Sequence, residues 1–114
     1  MSARDPLTVL AALAGAVAVM AGAYGAHGTS GLAAEWLRTG AQYQLVHIVA
    51  VFAVIERPMG RIAGWVFVAG GAIFAGTLYA MALGAPHWLG AVTPIGGLLL
   101  VIGWLVTGVG ALRR

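Results

Sequence analysis

The sequence predicts an all-α membrane protein: a four-transmembrane-helix bundle with a short outer interfacial helix and both termini cytoplasmic. Three observations carry that reading. Hydrophobic residues make up 61% of the chain and charged ones 8%, against about 25% charged in soluble domains. Between Arg4–Asp5 and Arg113–Arg114 the only charged residues are Glu35, Arg38, Glu56, Arg57 and Arg61. The runs between them match the roughly 20 residues with which a helix crosses hydrocarbon. Finally, all basic residues are arginines, and they sit at the ends of those runs. A water-soluble fold of 114 residues would lack the polar surface to cover such stretches. One domain, residues 1–114, accounts for the length.

The first span covers about residues 6–26. Pro6 suits a first helical turn, where its missing N–H is not needed. The apolar run Leu7 to Ala26 has 20 residues, longer than the about 7–15 of a signal-peptide core, so an uncleaved helix is expected. After it, Ser30 is placed to cap a short helix lying flat at the outer interface, with Leu32, Trp36 and Leu37 on one side. Glu35 and Arg38, three apart, would pair on the other side. Trp36 and Trp88 would belong to an outer aromatic belt.

The second span, about 40–55, lies between Arg38 and Glu56, which leave 17 residues for it, near the lower limit for crossing. The third covers about 62–83 and the fourth about 89–112, with Pro94 inside the latter. Four spans put both termini on one side. That side holds Arg4, Arg57, Arg61, Arg113 and Arg114, and the other holds Arg38 alone. The positive-inside rule therefore places the termini in the cytoplasm.

Small residues recur every fourth position: Ala14, Ala18, Gly22 and Ala26; Ala72, Gly76, Ala80 and Gly84; Gly103, Thr107 and Ala111. Such stripes let helix backbones approach closely, within one chain or between copies.

Polar groups within hydrocarbon are costly and face protein. Here they gather in the outer halves of the spans. Tyr43, Gln44 and His47 share one face of the second span. Thr77 and Tyr79 lie in the third, Thr93 and Pro94 in the fourth, and Tyr24 and His27 close the first. Pro94 would free the Gly90 carbonyl, and Gly96–Gly97 would thin the helix there. The expected ligand-binding set is His27, Tyr43, Gln44, His47, Thr77, Tyr79 and Thr93. Each residue also has a structural reading. His47 either locks helix register or faces a ligand, and the threonines bond back to their own helices.

Several function classes lose their footing. Without cysteine there is no thiolate site or disulfide. No helical metal-ligand spacing, nucleophile elbow or phosphate loop occurs. No acidic residue lies within a span, which disfavours ion-coupled transport. The net charge of +3 reflects topology and not nucleic-acid binding. No cofactor or metal is expected.

Gly25-Ala-His-Gly28, Tyr43 with His47, Phe74-Ala-Gly-Thr-Leu-Tyr79 and Leu89-Gly-Ala-Val-Thr-Pro-Ile-Gly-Gly97 with Gly103-Trp104 occur in order along the chain. Together they resemble the YgdD-type small inner-membrane proteins, the domain of unknown function 423. The resemblance implies a four-helix integral protein of the bacterial cytoplasmic membrane and supplies no reaction. The chain differs from many relatives at Ala75 and Thr77, where serines are expected, and at Gln44, near a second histidine in relatives.

The expected function is a non-enzymatic accessory or lipid- or ligand-binding membrane component with a polar pocket in the outer leaflet half. Its partners would be the bilayer and either further copies or a larger membrane complex. An oligomeric facilitator for a small neutral solute is the alternative. An embedded enzyme using His47 or His27 as acid or base is the second.

Overall fold

The computed structural model describes residues 4–113. Four long helices make up nearly all of it: α1 (Pro6–His27), α2 (Gly31–Val54), α3 (Gly60–Ala82) and α4 (Thr93–Leu112), with a 3-10 turn at His87–Ala91 before α4. Helices α1 and α3, and the turn together with α4, are long and apolar enough to cross a membrane.

Each helix begins for a local reason. The Asp5 carboxylate caps α1, accepting from the Thr8 amide at 3.4 Å and the Thr8 hydroxyl at 2.7 Å, with Pro6 in the first turn. Asp5 also binds Arg61 at the start of α3, at 2.9 Å, which ties the two helix starts together. This is the only ion pair among the described residues. Ser30 stands at the N-cap of α2 as its type suggests, but its side chain makes no capping bond. The turn into α3 is tight. Met59 is left-handed at φ 61°, and a Cβ on Gly60 would overlap the Val54 carbonyl.

Three expectations are corrected. The interfacial helix and the second span are not separate: Gly31–Val54 is one helix of 24 residues, about 36 Å long at 1.5 Å per residue. No breaker divides it, and Gly40 is held in the helix where the Tyr79 ring packs on it, 2.8 Å from where a Cβ would stand. Its first turns carry Glu35, Arg38, Thr39 and Gln42, so α2 is less apolar than the other three helices. Glu35 and Arg38 do not pair, and both are exposed. Pro94 lies in the first turn of α4 and not within it, where it frees no helical carbonyl.

Packing follows chain order. Extensive contacts join α1 to α2, α2 to α3, and α3 to α4, while α1 meets α3 more sparsely. The result is a flat molecule, 48 × 32 × 18 Å. Its apolar core lies toward the end that carries the termini. Leu7, Ala11, Val51, Val54, Ala63, Phe67 and Leu100 are buried there, and Leu7 and Val51 close over Gly64.

The small-residue stripes serve this packing only in part. In α1 the buried residues are Leu7, Ala11, Ala18 and Gly25; Gly25 meets Leu37 of α2 and the half-buried Gly22 meets Ala41. In α4 they include Gly96, Gly103 and Gly110, seven apart. By contrast Ala72 and Gly76 face outward, with nothing near Gly76. A strict four-residue repeat drifts around a 3.6-residue helix, so it cannot keep facing one neighbour.

Candidate functional site

The interior polar residues sort into three interhelical links and one cleft. Two links lie in the other half, while the third, His47 with Trp104, lies against the core residue Phe67, deeper than the sequence suggested. Thr77 of α3 and Thr93 of α4 meet hydroxyl to hydroxyl at 2.6 Å. Each also reaches back to its own chain: Thr77 to the Ile73 and Phe74 carbonyls at 2.9 and 3.1 Å, Thr93 to the Leu89 carbonyl at 3.3 Å. The Tyr79 hydroxyl donates to Gln44 Oε1 at 2.8 Å, joining α3 to α2. Gln44 is buried, 5% exposed, so this bond satisfies an acceptor that water cannot reach.

His47, 7% exposed, carries the third link. Trp104 Nε1–H of α4 donates to His47 Nε2 at 2.9 Å. An indole nitrogen can only donate, so Nε2 presents its lone pair. Nδ1–H then donates to the Tyr43 carbonyl at 2.7 Å. The partners thus assign the tautomer, and both ring nitrogens are engaged. The Phe67 ring lies 5.5 Å from His47 and 5.0 Å from Trp104, centre to centre. Gly103 makes room for it, since a Cβ there would stand 2.6 Å from Phe67 Cδ1.

Two neighbours on α2 are open. Gln42, Tyr43, Val46 and His47 line a shallow cleft of about 230 Å³ on the surface of α2. The Tyr43 ring packs on Phe74 at 4.8 Å and runs parallel to His47 at 6.3 Å. Tyr43 is half exposed and Gln42 is exposed. Neither the Tyr43 hydroxyl nor the Gln42 amide has a hydrogen-bond partner among the described residues.

Of the seven residues expected at the site, Tyr43 and His47 line the cleft. Gln44 Oε1 and the hydroxyls of Thr77, Tyr79 and Thr93 are spent on links between helices. His27, exposed at the end of α1, stands apart. Sequence reasoning missed Gln42 and Trp104. Both carried a signal: an amide and an indole N–H within apolar runs each need a partner. Chemically, the arrangement can hold helices in register and offer donors to a ligand beside α2. It leaves no histidine nitrogen at the cleft free to move a proton.

Comparisons with known proteins identify the family. The family model for "Protein of unknown function (DUF423)" matches residues 21–97. A UPF0382 membrane protein of Haemophilus influenzae is 36% identical, covering 96% of each chain. The inner membrane protein YgdD of Escherichia coli K12 is 35% identical over 94% of this chain and 89% of its own. YwdK of Bacillus subtilis is 34% identical over 92% and 94%. No solved structure matches. The chain therefore belongs to the DUF423 family of small membrane proteins.

Proposed function

We propose that this protein is a non-enzymatic, multi-pass component of the bacterial cytoplasmic membrane that binds a lipid or small amphiphile at the Gln42–His47 cleft. In this reading α2 crosses with the other helices. The termini and the Glu56–Arg61 turn face the cytoplasm, where the arginines gather. The observation that carries the reading is the division of labour among polar groups. Gln44 Oε1, both His47 nitrogens and the hydroxyls of Thr77, Tyr79 and Thr93 are already paired, whereas the whole Gln42 amide and the Tyr43 hydroxyl are unpartnered beside a cleft on the exposed side of α2. In hydrocarbon such groups seek a partner.

Native mass spectrometry after gentle extraction from the cell's own membrane tests the binding role. A defined adduct that weakens in Gln42→Leu supports it. A bare protein, or only a larger assembly with other subunits, overturns it. The topology is tested separately in this cysteine-free chain. A membrane-impermeant maleimide should label Ser30→Cys but not Glu56→Cys in intact cells. Labelling of both, or the reverse pattern, removes the assigned orientation.

A further inference from the structure

The geometry points to a phospholipid as the occupant of the cleft, standing along α2 with its phosphate at Arg38, an ester carbonyl at Gln42 and Tyr43, and an acyl chain along Val46 and Val49. This rests on the lipid-binding reading and names the chemistry of that site. Residues 38, 42, 46 and 49 follow at spacings of four, four and three, so they share one stripe of the helix. All four are exposed. Each step of four residues descends about 6 Å along the axis, which matches the succession of phosphate, glycerol ester and hydrocarbon from the interface inward.

Arg38 supports the top of this ladder. It is the one basic residue at its end of the molecule among Arg4, Arg38, Arg57, Arg61 and Arg113, and it has no ion-pair partner among the described residues. Its Cγ lies beside α1, where a Cβ on Gly25 would stand 3.5 Å away, and the residue is exposed. Guanidinium groups bind phosphate through paired N–H donors. One turn deeper, no charge lines the cleft. The Gln42 N–H and Tyr43 O–H donors there suit an uncharged carbonyl and not a second ionic group. His47 closes the wall without offering a nitrogen, since both are taken.

The test is native mass spectrometry of the delipidated full chain titrated with dioleoyl phosphatidylglycerol and, separately, with dioleoylglycerol, which has the same esters and chains but no phosphate. The expected result is retention of the phospholipid about tenfold more strongly than the diglyceride. Arg38→Gln should remove that preference, and Arg57→Gln, at the opposite end, should keep it. Gln42→Leu should weaken both lipids alike. Equal retention of the two lipids, unchanged by Arg38→Gln, overturns the phosphate assignment while leaving the cleft as a lipid site. Retention of neither overturns the cleft itself. A lipid-free dimer lost in Gln42→Leu shows that a second copy occupies the stripe and overturns the proposal. Arg38 and Gln42 are exposed, so both variants should fold, and matching thermal melts check this.

Discussion

The indole N–H of Trp104 reaches His47 Nε2 at 2.9 Å and so links α2 to α4 across the intervening α3. These two helices share no extensive backbone contact, and the bond spans 57 residues of sequence. Trp104→Phe keeps an aromatic ring beside Phe67 but removes the donor. The loss should be about 1–2 kcal/mol, because His47 Nε2 is left buried and unpaired. Thermal unfolding in detergent measures it. A double-mutant cycle with His47→Phe should return a coupling near 1 kcal/mol, and a coupling of zero would show that the bond contributes nothing.

The Tyr79–Gln44 and Thr77–Thr93 links should respond differently to loss of one hydroxyl. Tyr79→Phe strands Gln44 Oε1, which has no other partner, and should cost about 1–3 kcal/mol. After Thr77→Val, the Thr93 hydroxyl still donates to Leu89 O, so the cost should stay below about 1 kcal/mol. Melting temperatures of the two variants side by side decide it, and the reverse order would mean that the threonine pair is the stronger lock.

Gly96 marks the closest approach of α4 to α3. A Cβ there would overlap the Phe74 amide nitrogen and lie 2.7 Å from the Gly70 carbonyl oxygen. Because the obstacle is backbone, Gly96→Ala should destabilise by roughly 3 kcal/mol or more. Gly76→Ala and Gly108→Ala meet nothing within 4 Å and should be neutral or slightly stabilising, since alanine is the better helix former. Yields of folded protein by size-exclusion profile report both effects.

The Asp5–Arg61 pair should make stability fall in acid. Its Arg61 bond, then its Thr8 bonds, hold the Asp5 carboxyl well below the usual carboxylate range. A carboxylate depressed in the folded state adds stability above its unfolded value of about 3.9, and that contribution is lost as pH falls below it. Melting temperature between neutral pH and pH 3 should therefore drop more in the parent chain than in Asp5→Asn. Parallel curves would show that the pair is energetically silent.

Composition and charge spacing alone pointed to a helical membrane protein, because every charge-free run must satisfy its backbone internally in the same way. The expected gathering of polar groups in one half holds for Thr77, Tyr79 and Thr93 but not for His47, which lies against the core residue Phe67. The motifs from Gly25 to Trp104 also made the family legible. Pro6 marked the start of α1 correctly, since the proline effect is local, and Ser30 stands where α2 begins but its side chain makes no capping bond. The sequence read two elements where the chain forms the single helix α2, because the polar turns around Arg38 look like a boundary while nothing in them breaks a helix. It also read Pro94 as freeing a carbonyl inside a helix, whereas Pro94 lies within the apolar stretch His87–Leu112 but in the first turn of α4. Which polar residues meet was decided only by tertiary structure. Gln44 with Tyr79, Thr77 with Thr93 and His47 with Trp104 lie on different helices, and no spacing within one helix sets the rotation of another. Helix rotation follows from which small residues permit close approach, here Gly64, Gly70, Gly96 and Gly103. That is a property of two fitted surfaces, and it is why Gln42 and Tyr43, and not the whole polar set, remain exposed on α2.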